Sequence, residues 1–168
     1  ATQTRPETYD GDVYQVTRPY NLDEGRIRGF EVGYSQFFDF LPGFLRGLGV
    51  QANYTYVDSE GGANTIPDPY GTGDRTALVD LPLEGLSEDS YNVVGIYELG
   101  KFSFRLAYNW RDEYLVGLSA ASTGIYNDTY KDLSASMSYD FSERLSLKLE
   151  GNNLLDSEQR TFDGYAEG

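Results

Sequence analysis

Residues Ile27 to Val57 read IRGFEVGYSQFFDFLPGFLRGLGVQANYTYV, two long strand patterns joined by one turn. In the first arm Phe30, Val32, Tyr34, Gln36, Phe38 and Phe40 share one parity, and Ile27, Gly29, Glu31, Gly33, Ser35, Phe37 and Asp39 share the other. Side chains alternate between the two sides of a strand, so the first set makes a mainly apolar face and the second a mixed, more polar one. Arg26 and Arg28 share the apolar parity at the end far from the turn, where they sit above an apolar band. After the turn Leu41-Pro42-Gly43-Phe44-Leu45-Arg46-Gly47 the second arm repeats the pattern, with Leu48, Val50, Ala52, Tyr54 and Tyr56 against Gln51, Asn53, Thr55 and Val57. The arms run about 14 and 10 residues, roughly twice the ~5–6 of an ordinary strand. Such length points to a membrane.

The pattern returns downstream. Tyr91, Val93, Gly95, Tyr97 and Leu99 alternate with Ser90, Asn92, Val94, Ile96 and Glu98. A tight turn at Gly100 leads to Phe102, Phe104, Leu106, Tyr108 and Trp110, against Lys101, Ser103, Arg105, Ala107, Asn109 and Arg111. A third pair sets Leu133, Ala135, Met137 and Tyr139 against Asp132, Ser134, Ser136, Ser138 and Asp140. It turns at Phe141-Ser142-Glu143-Arg144 and continues with Leu145, Leu147, Leu149 and Gly151 against Ser146, Lys148, Glu150 and Asn152. None of these apolar-face positions is Asp, Glu, Lys or Arg, whereas the opposite face carries many charges. Aromatic residues gather at both ends of that face: Phe38, Phe40, Phe102 and Tyr139 near the short turns, Tyr54, Tyr56, Tyr108 and Trp110 near the longer connections. Two aromatic girdles flanking an aliphatic band are the pattern of an outer-membrane barrel.

The connections are one-sided. Residues 58–89 are acidic and rich in Gly and Pro, with Arg75 their single base, and read as a long surface loop. Asp68 and Asp74 suggest calcium there, but their spacing does not follow the ordered ligand ladder of a calcium-binding loop. A second loop is expected at about 115–127, and a polar tail from Asp156 to Gly168. At the start, Asp10-Gly11-Asp12 and Val13–Thr17 predict a hairpin leading into the long strand. The two long loops are expected outside the cell and the turns near Gly43, Gly100 and Ser142 in the periplasm.

Composition narrows the function. The chain has 168 residues, 15 Tyr, 9 Phe and 19 Gly, a mix that favours strands and turns. No run of ~18 apolar residues exists for a transmembrane helix, and a polar mean hydropathy is compatible with membrane strands, which are apolar on one side alone. With no Cys and no His, Cys/His zinc sites, thiol nucleophiles and histidine triads are excluded, and neither cofactor nor metal is expected. A net charge of −14 argues against nucleic acid, whose phosphates need Lys and Arg. Ala1-Thr2-Gln3-Thr4-Arg5-Pro6 does not lead into an apolar core. The expectation is that a leader was removed or that the chain begins inside a longer protein.

Several runs, taken in order, resemble the barrel of TonB-dependent outer-membrane receptors, in the branch often linked to carbohydrate uptake. They are Arg18-Pro19-Tyr20-Asn21, Gly25-Arg26-Ile27-Arg28-Gly29-Phe30-Glu31, Leu41-Pro42-Gly43 with Gly47-Leu48-Gly49, and Asn53-Tyr54-Thr55-Tyr56. Arg105-Leu106-Ala107-Tyr108-Asn109-Trp110-Arg111 and Gly151-Asn152-Asn153-Leu154-Leu155-Asp156 follow. The resemblance implies a barrel of about 22 strands with an N-terminal plug and an inner-membrane TonB system acting through that plug. Six long strands are fewer than the ~8 of the smallest outer-membrane barrel. The expectation is therefore a single partial barrel domain over 1–168, from the C-terminal part of a receptor. It would lie in the outer membrane against lipid, the remaining strands and the plug.

The polar face offers Glu31, Gln51, Asn53, Arg105, Asn109, Arg111, Lys148, Glu150 and Asn152, to line a solute route, touch the plug, or satisfy one another in a rigid wall. Near the loops, Asn109, Arg111 and Tyr126 are the candidate ligand contacts, since an amide, a guanidinium and an aromatic ring suit a sugar or a carboxylated chelate. Glu150 and Asp132 imitate a glycosidase acid pair, but a wall of mixed charge explains them more simply, and no catalytic residue is expected. The function expected is uptake of a scarce small molecule, a carbohydrate or siderophore-like chelate. The alternative is a soluble extracellular β-sandwich binding module, whose six strands would split into two packed sheets.

Overall fold

The computed structural model describes residues 2–19, 25–61, 63–65, 78–80, 82–118 and 124–164. In chain order the strands are β1 (Thr2–Tyr9), β2 (Asp12–Pro19), β3 (Arg26–Phe37), β4 (Leu48–Glu60), β5 (Ala63–Thr65), β6 (Leu78–Asp80) and β7 (Asp89–Leu99). They continue with β8 (Phe102–Arg111), β9 (Tyr114–Leu118), β10 (Gly124–Asn127), β11 (Tyr130–Ser142), β12 (Leu145–Gly151) and β13 (Thr161–Gly164). No helix among the described residues is long and apolar enough to cross a membrane. The long elements are strands.

Six of them form one antiparallel sheet in the order β12-β11-β8-β7-β4-β3. A sandwich needs two such layers. The sandwich alternative is thereby corrected: all six expected strands lie side by side in one open layer, with β3 and β12 at its edges. The first arm is also shorter than expected, because β3 ends at Phe37 and the chain turns through a 3-10 segment at Gly43–Gly47.

Register is what turns six amphipathic strands into one amphipathic wall. Val32 faces Tyr54, Tyr54 faces Tyr91, and Tyr91 faces Trp110. Gly95 faces Leu106, Leu106 faces Ala135, and Met137 faces Leu149. A slip of one residue anywhere would send a charged row into the apolar face. The apolar face has no protein cover. Val32 is 57% exposed and Leu147 48%. Among the described residues the buried apolar side chains are Val94, Ala107 and Leu115, a very small set for a chain of this size. Val94 and Ala107 face each other across the polar side, so even this small core lies away from the apolar face.

The aromatic girdles are built as cross-strand clusters. At the loop end Tyr91 stacks on Trp110 with centroids 5.1 Å apart, and Phe30 packs against Tyr54 and Tyr56 at 5.8 and 5.6 Å. At the turn end Tyr97 meets Phe102 at 6.0 Å and Tyr139 meets Phe141 at 4.9 Å. From Phe102 to Trp110 is eight steps along β8, about 27 Å, or about 20 Å of height at the usual tilt of ~40°, close to the ~25 Å band of an outer-membrane barrel.

The turn end is compact. Gly43 and Gly100 have φ of +63° and +62°, which side-chain-bearing residues adopt at a steric cost. The loop end carries more structure than the sequence foretold. The stretch expected as the second loop holds β9 and β10, and the expected tail holds β13. These three pair in the order β13-β10-β9. Within the first long connection β5 pairs with β6, while Asp68, Asp74 and Arg75 lie outside the described residues. The N-terminal hairpin is present as β1 and β2, closed at Asp10 and Gly11, both with positive φ, as a two-residue hairpin turn requires.

Candidate functional site: the polar face and its loop-end rim

The polar face is organised in rows that cross the strands. Asn53 faces Asn92, Asn92 faces Asn109, and Asn109 faces Asp132. Neighbouring strands lie about 4.8 Å apart, so these four side chains form a polar row about 15 Å long. The Asn92 amide donates to the Asn109 carbonyl oxygen. The Asn53 amide lies over Gly33, where an added Cβ would come within 3.0 Å of its Oδ1. Glycine there leaves the first amide of the row lying flat on the wall.

Two hollows flank this row and share Asn92 and Asn109. The one nearer the loops, of about 440 Å³, is lined by Glu31, Asn53, Thr55, Ser90 and Arg111 among others. The one nearer the turns, of about 280 Å³, is lined by Arg105, Ser134, Ser136, Glu150 and Asn152 among others. Most of the polar positions expected to line the lumen do border one of the hollows. Asn92 was missed as a site residue, although its parity on β7 already placed it on this face. The wall is partly self-satisfied. Lys148 Nζ lies 2.6 Å from Glu150 Oε1, and the Ser103 and Ser138 hydroxyls are 2.7 Å apart. Amides and hydroxyls set in such a lattice offer fixed donors and acceptors to a polar solute.

The three candidate ligand residues are not brought together. Asn109 and Arg111 border the larger hollow, while Tyr126 borders a separate one of about 200 Å³ with Asp58, Glu88, Asp112 and Glu113. Arg111 is occupied. Its Nε donates to Ser87 Oγ at 2.6 Å, its Nη2 to the Gly85 carbonyl at 2.5 Å, and its guanidinium lies 3.9 Å from the Tyr114 ring centroid. The Tyr126 ring stacks on Phe162 at 5.8 Å and covers Gly124 and Gly164, at both of which a Cβ would collide with it. It serves the β10–β13 packing. Asn109 lies on the polar face, where it borders both hollows. Asp132 stands opposite Asn109 and Glu150 opposite Ser136. Four residues of strand then separate the two carboxylates by about 13 Å, beyond the ~5–9.5 Å of a glycosidase pair.

Among the described residues no group of three or more Asp or Glu is placed to hold a metal ion. No curated protein and no solved structure matches the chain. A family model does: residues 1–154 match the TonB dependent receptor-like, beta-barrel family, a match that covers β1 to β12 and so the whole six-stranded wall. That family is one of outer-membrane receptors and transporters. The single open sheet, its uncovered apolar face, its paired girdles and its polar rows are what a segment of such a barrel needs. The chain therefore belongs to the TonB-dependent receptor-like β-barrel family.

Proposed function

We propose that this chain supplies wall and extracellular loops to an outer-membrane receptor that captures a scarce small solute for active uptake. The observation that carries the reading is the uncharged band running across six strands between the two aromatic girdles, uncovered by protein and bordered by charge only at its loop end, with a row of amides on its reverse. The apolar face is solvated by hydrocarbon, and the amide face borders a lumen. Asn53, Asn92 and Asn109 present neutral donors and acceptors, which suits a carbohydrate or the polar periphery of a siderophore-like chelate. The acidic loop end, with Asp58, Glu88, Asp112 and Glu113 around one hollow, favours a neutral or cationic solute over a polyanion. In this reading the remaining strands close the barrel, a plug fills the lumen against the amide row, and the TonB system acts on that plug. The connections β4–β7 and β8–β11 face outward from the cell, and the turns at Gly43, Gly100 and Ser142 face the periplasm.

Detergent dependence tests the lipid face directly. The purified chain is expected to need detergent or bilayer to stay dispersed, and to aggregate on dilution into plain buffer. A folded, soluble monomer in plain buffer would end the membrane reading. Orientation is tested on intact cells, where added protease should cut within 61–85 and spare the short turns. Cleavage only after the outer membrane is permeabilised would reverse the assignment of loops and turns.

A further inference from the structure

We infer that Arg111 is a positioning residue that fastens three successive connections at the loop end into one cooperative unit. The inference goes beyond uptake and holds for any solute. Arg111 ends β8 on the polar face and reaches back to the root of the β4–β7 connection, where its planar fork engages Ser87 and Gly85 while its ring-facing side covers Tyr114 of β9. The Ser87 hydroxyl accepts from Arg111 and donates onward to the Asp112 carbonyl at 2.8 Å, so both its roles are used. Gly85 is held from two sides, because its N–H donates to the Leu115 carbonyl at 2.8 Å. Its φ of +80° explains why glycine stands there. The root of the first connection is thus tied to β9.

The chain of contacts continues without a gap. Beneath it Leu115 is 2% exposed. Tyr114 faces Asn127 of β10, whose amide donates to the Tyr114 hydroxyl. The Thr129 hydroxyl donates to Asp112 at 3.3 Å, and the Asp128 N–H donates to the Arg160 carbonyl at 2.8 Å. Arg160 leads into β13, which pairs with β10 along its whole length, Tyr126 against Phe162. Each short strand alone is too small to be stable. Together they form one body pinned by Arg111, a fork that a point charge does not replace.

The test is hydrogen exchange on the full receptor containing this segment, in bilayers, comparing native protein with Arg111→Ala and Arg111→Lys. Losing the fork is expected to accelerate exchange roughly ten-fold or more in 83–88, 114–118, 124–127 and 161–164 together, while β7 and β8 between Val93 and Ala107 keep native protection. The Lys variant should resemble the Ala variant. Acceleration confined to 83–88 would mean that the connections open independently and would overturn the proposal. So would unchanged exchange at all four segments, or a Lys variant indistinguishable from native. If Arg111→Ala fails to assemble, Ser87→Ala removes the hydroxyl that the fork engages without deleting a charge, and the same joint acceleration is required of it.

Discussion

At the scale of single residues, neighbours on one strand live in different solvents. Leu106 faces Gly95 and Ala135 on the apolar side; Arg105 faces Ile96 and Ser136 on the polar side and borders the hollow nearer the turns. Leu106→Arg is expected to cost about 2–4 kcal/mol in a receptor folded into bilayers, because position 106 lies mid-strand, where a charge must be held in hydrocarbon. Arg105→Gln should cost well under half of that in the same equilibrium unfolding measurement. Equal tolerance at both positions would remove the lipid-face assignment. A further residue-scale case is Asn153, with φ of +51°. Its amide donates to the Ser157 carbonyl at 3.1 Å, and its Oδ1 accepts from the Ser157 N–H at 2.8 Å. Asn tolerates the left-handed region better than most residues. Asn153→Ala should destabilise by about 1–2 kcal/mol through lost hydrogen bonds and backbone strain together, and Asn153→Gly by less. A Gly variant as damaged as the Ala variant would show that the side-chain bonds alone matter.

At the scale of elements, the six long strands were legible because each carries enough alternating positions for parity alone to place Val32, Tyr54, Tyr91 and Leu106 on one side. The three hairpin pairings followed from short turns, but the pairings of β4 with β7 and of β8 with β11, across long connections, were not readable from them. The loop-end strands were not legible. β10 and β13 are four residues each, too short to display an alternation, and what makes them strands is their mutual pairing across more than thirty residues of chain. The same limit hid the role of Arg111. Its side-chain hydrogen-bond partners, Ser87 and Gly85, come from a connection that composition marked as featureless polar loop. Tyr126 shows a related limit: the sequence marks an aromatic residue in a loop, and only the pairing of β10 with β13 places Gly124 and Gly164 against its ring. The girdle assignment has a spectroscopic consequence. Trp110, the chain's single tryptophan, stacks on Tyr91 at the loop-end boundary of the apolar face. In a receptor retaining only this tryptophan, lipids quenching near the headgroups should quench it more than lipids quenching at the bilayer centre. The reverse order would place Trp110 mid-membrane and shift the whole band by half its height.

At the scale of the whole molecule, the constraint is the edges. A strand in hydrocarbon leaves no unpaired N–H or C=O without a cost of several kcal/mol each, which is why spanning sheets close. Here β3 and β12 bound an open sheet of six, and β13 pairs with β10 at the loop end rather than with β12. β3 extends over 12 residues and β12 over 7, so each exposes a row of backbone groups. Those rows need strands from outside the described sheet, which a closed barrel of this family would provide. The chain by itself is therefore expected to remain an open, edge-reactive sheet in detergent and to form higher oligomers by edge pairing. The full receptor should run on unheated detergent gels as a compact species that shifts on boiling, as closed barrels do, and the isolated 168 residues should not. Co-refolding the chain with another fragment carrying the rest of the barrel should restore the compact species. A monomeric, heat-shifting band from the isolated chain would show that six strands can close or cap their own edges, and the assignment of β3 and β12 as interior strands of a larger wall would fall with it.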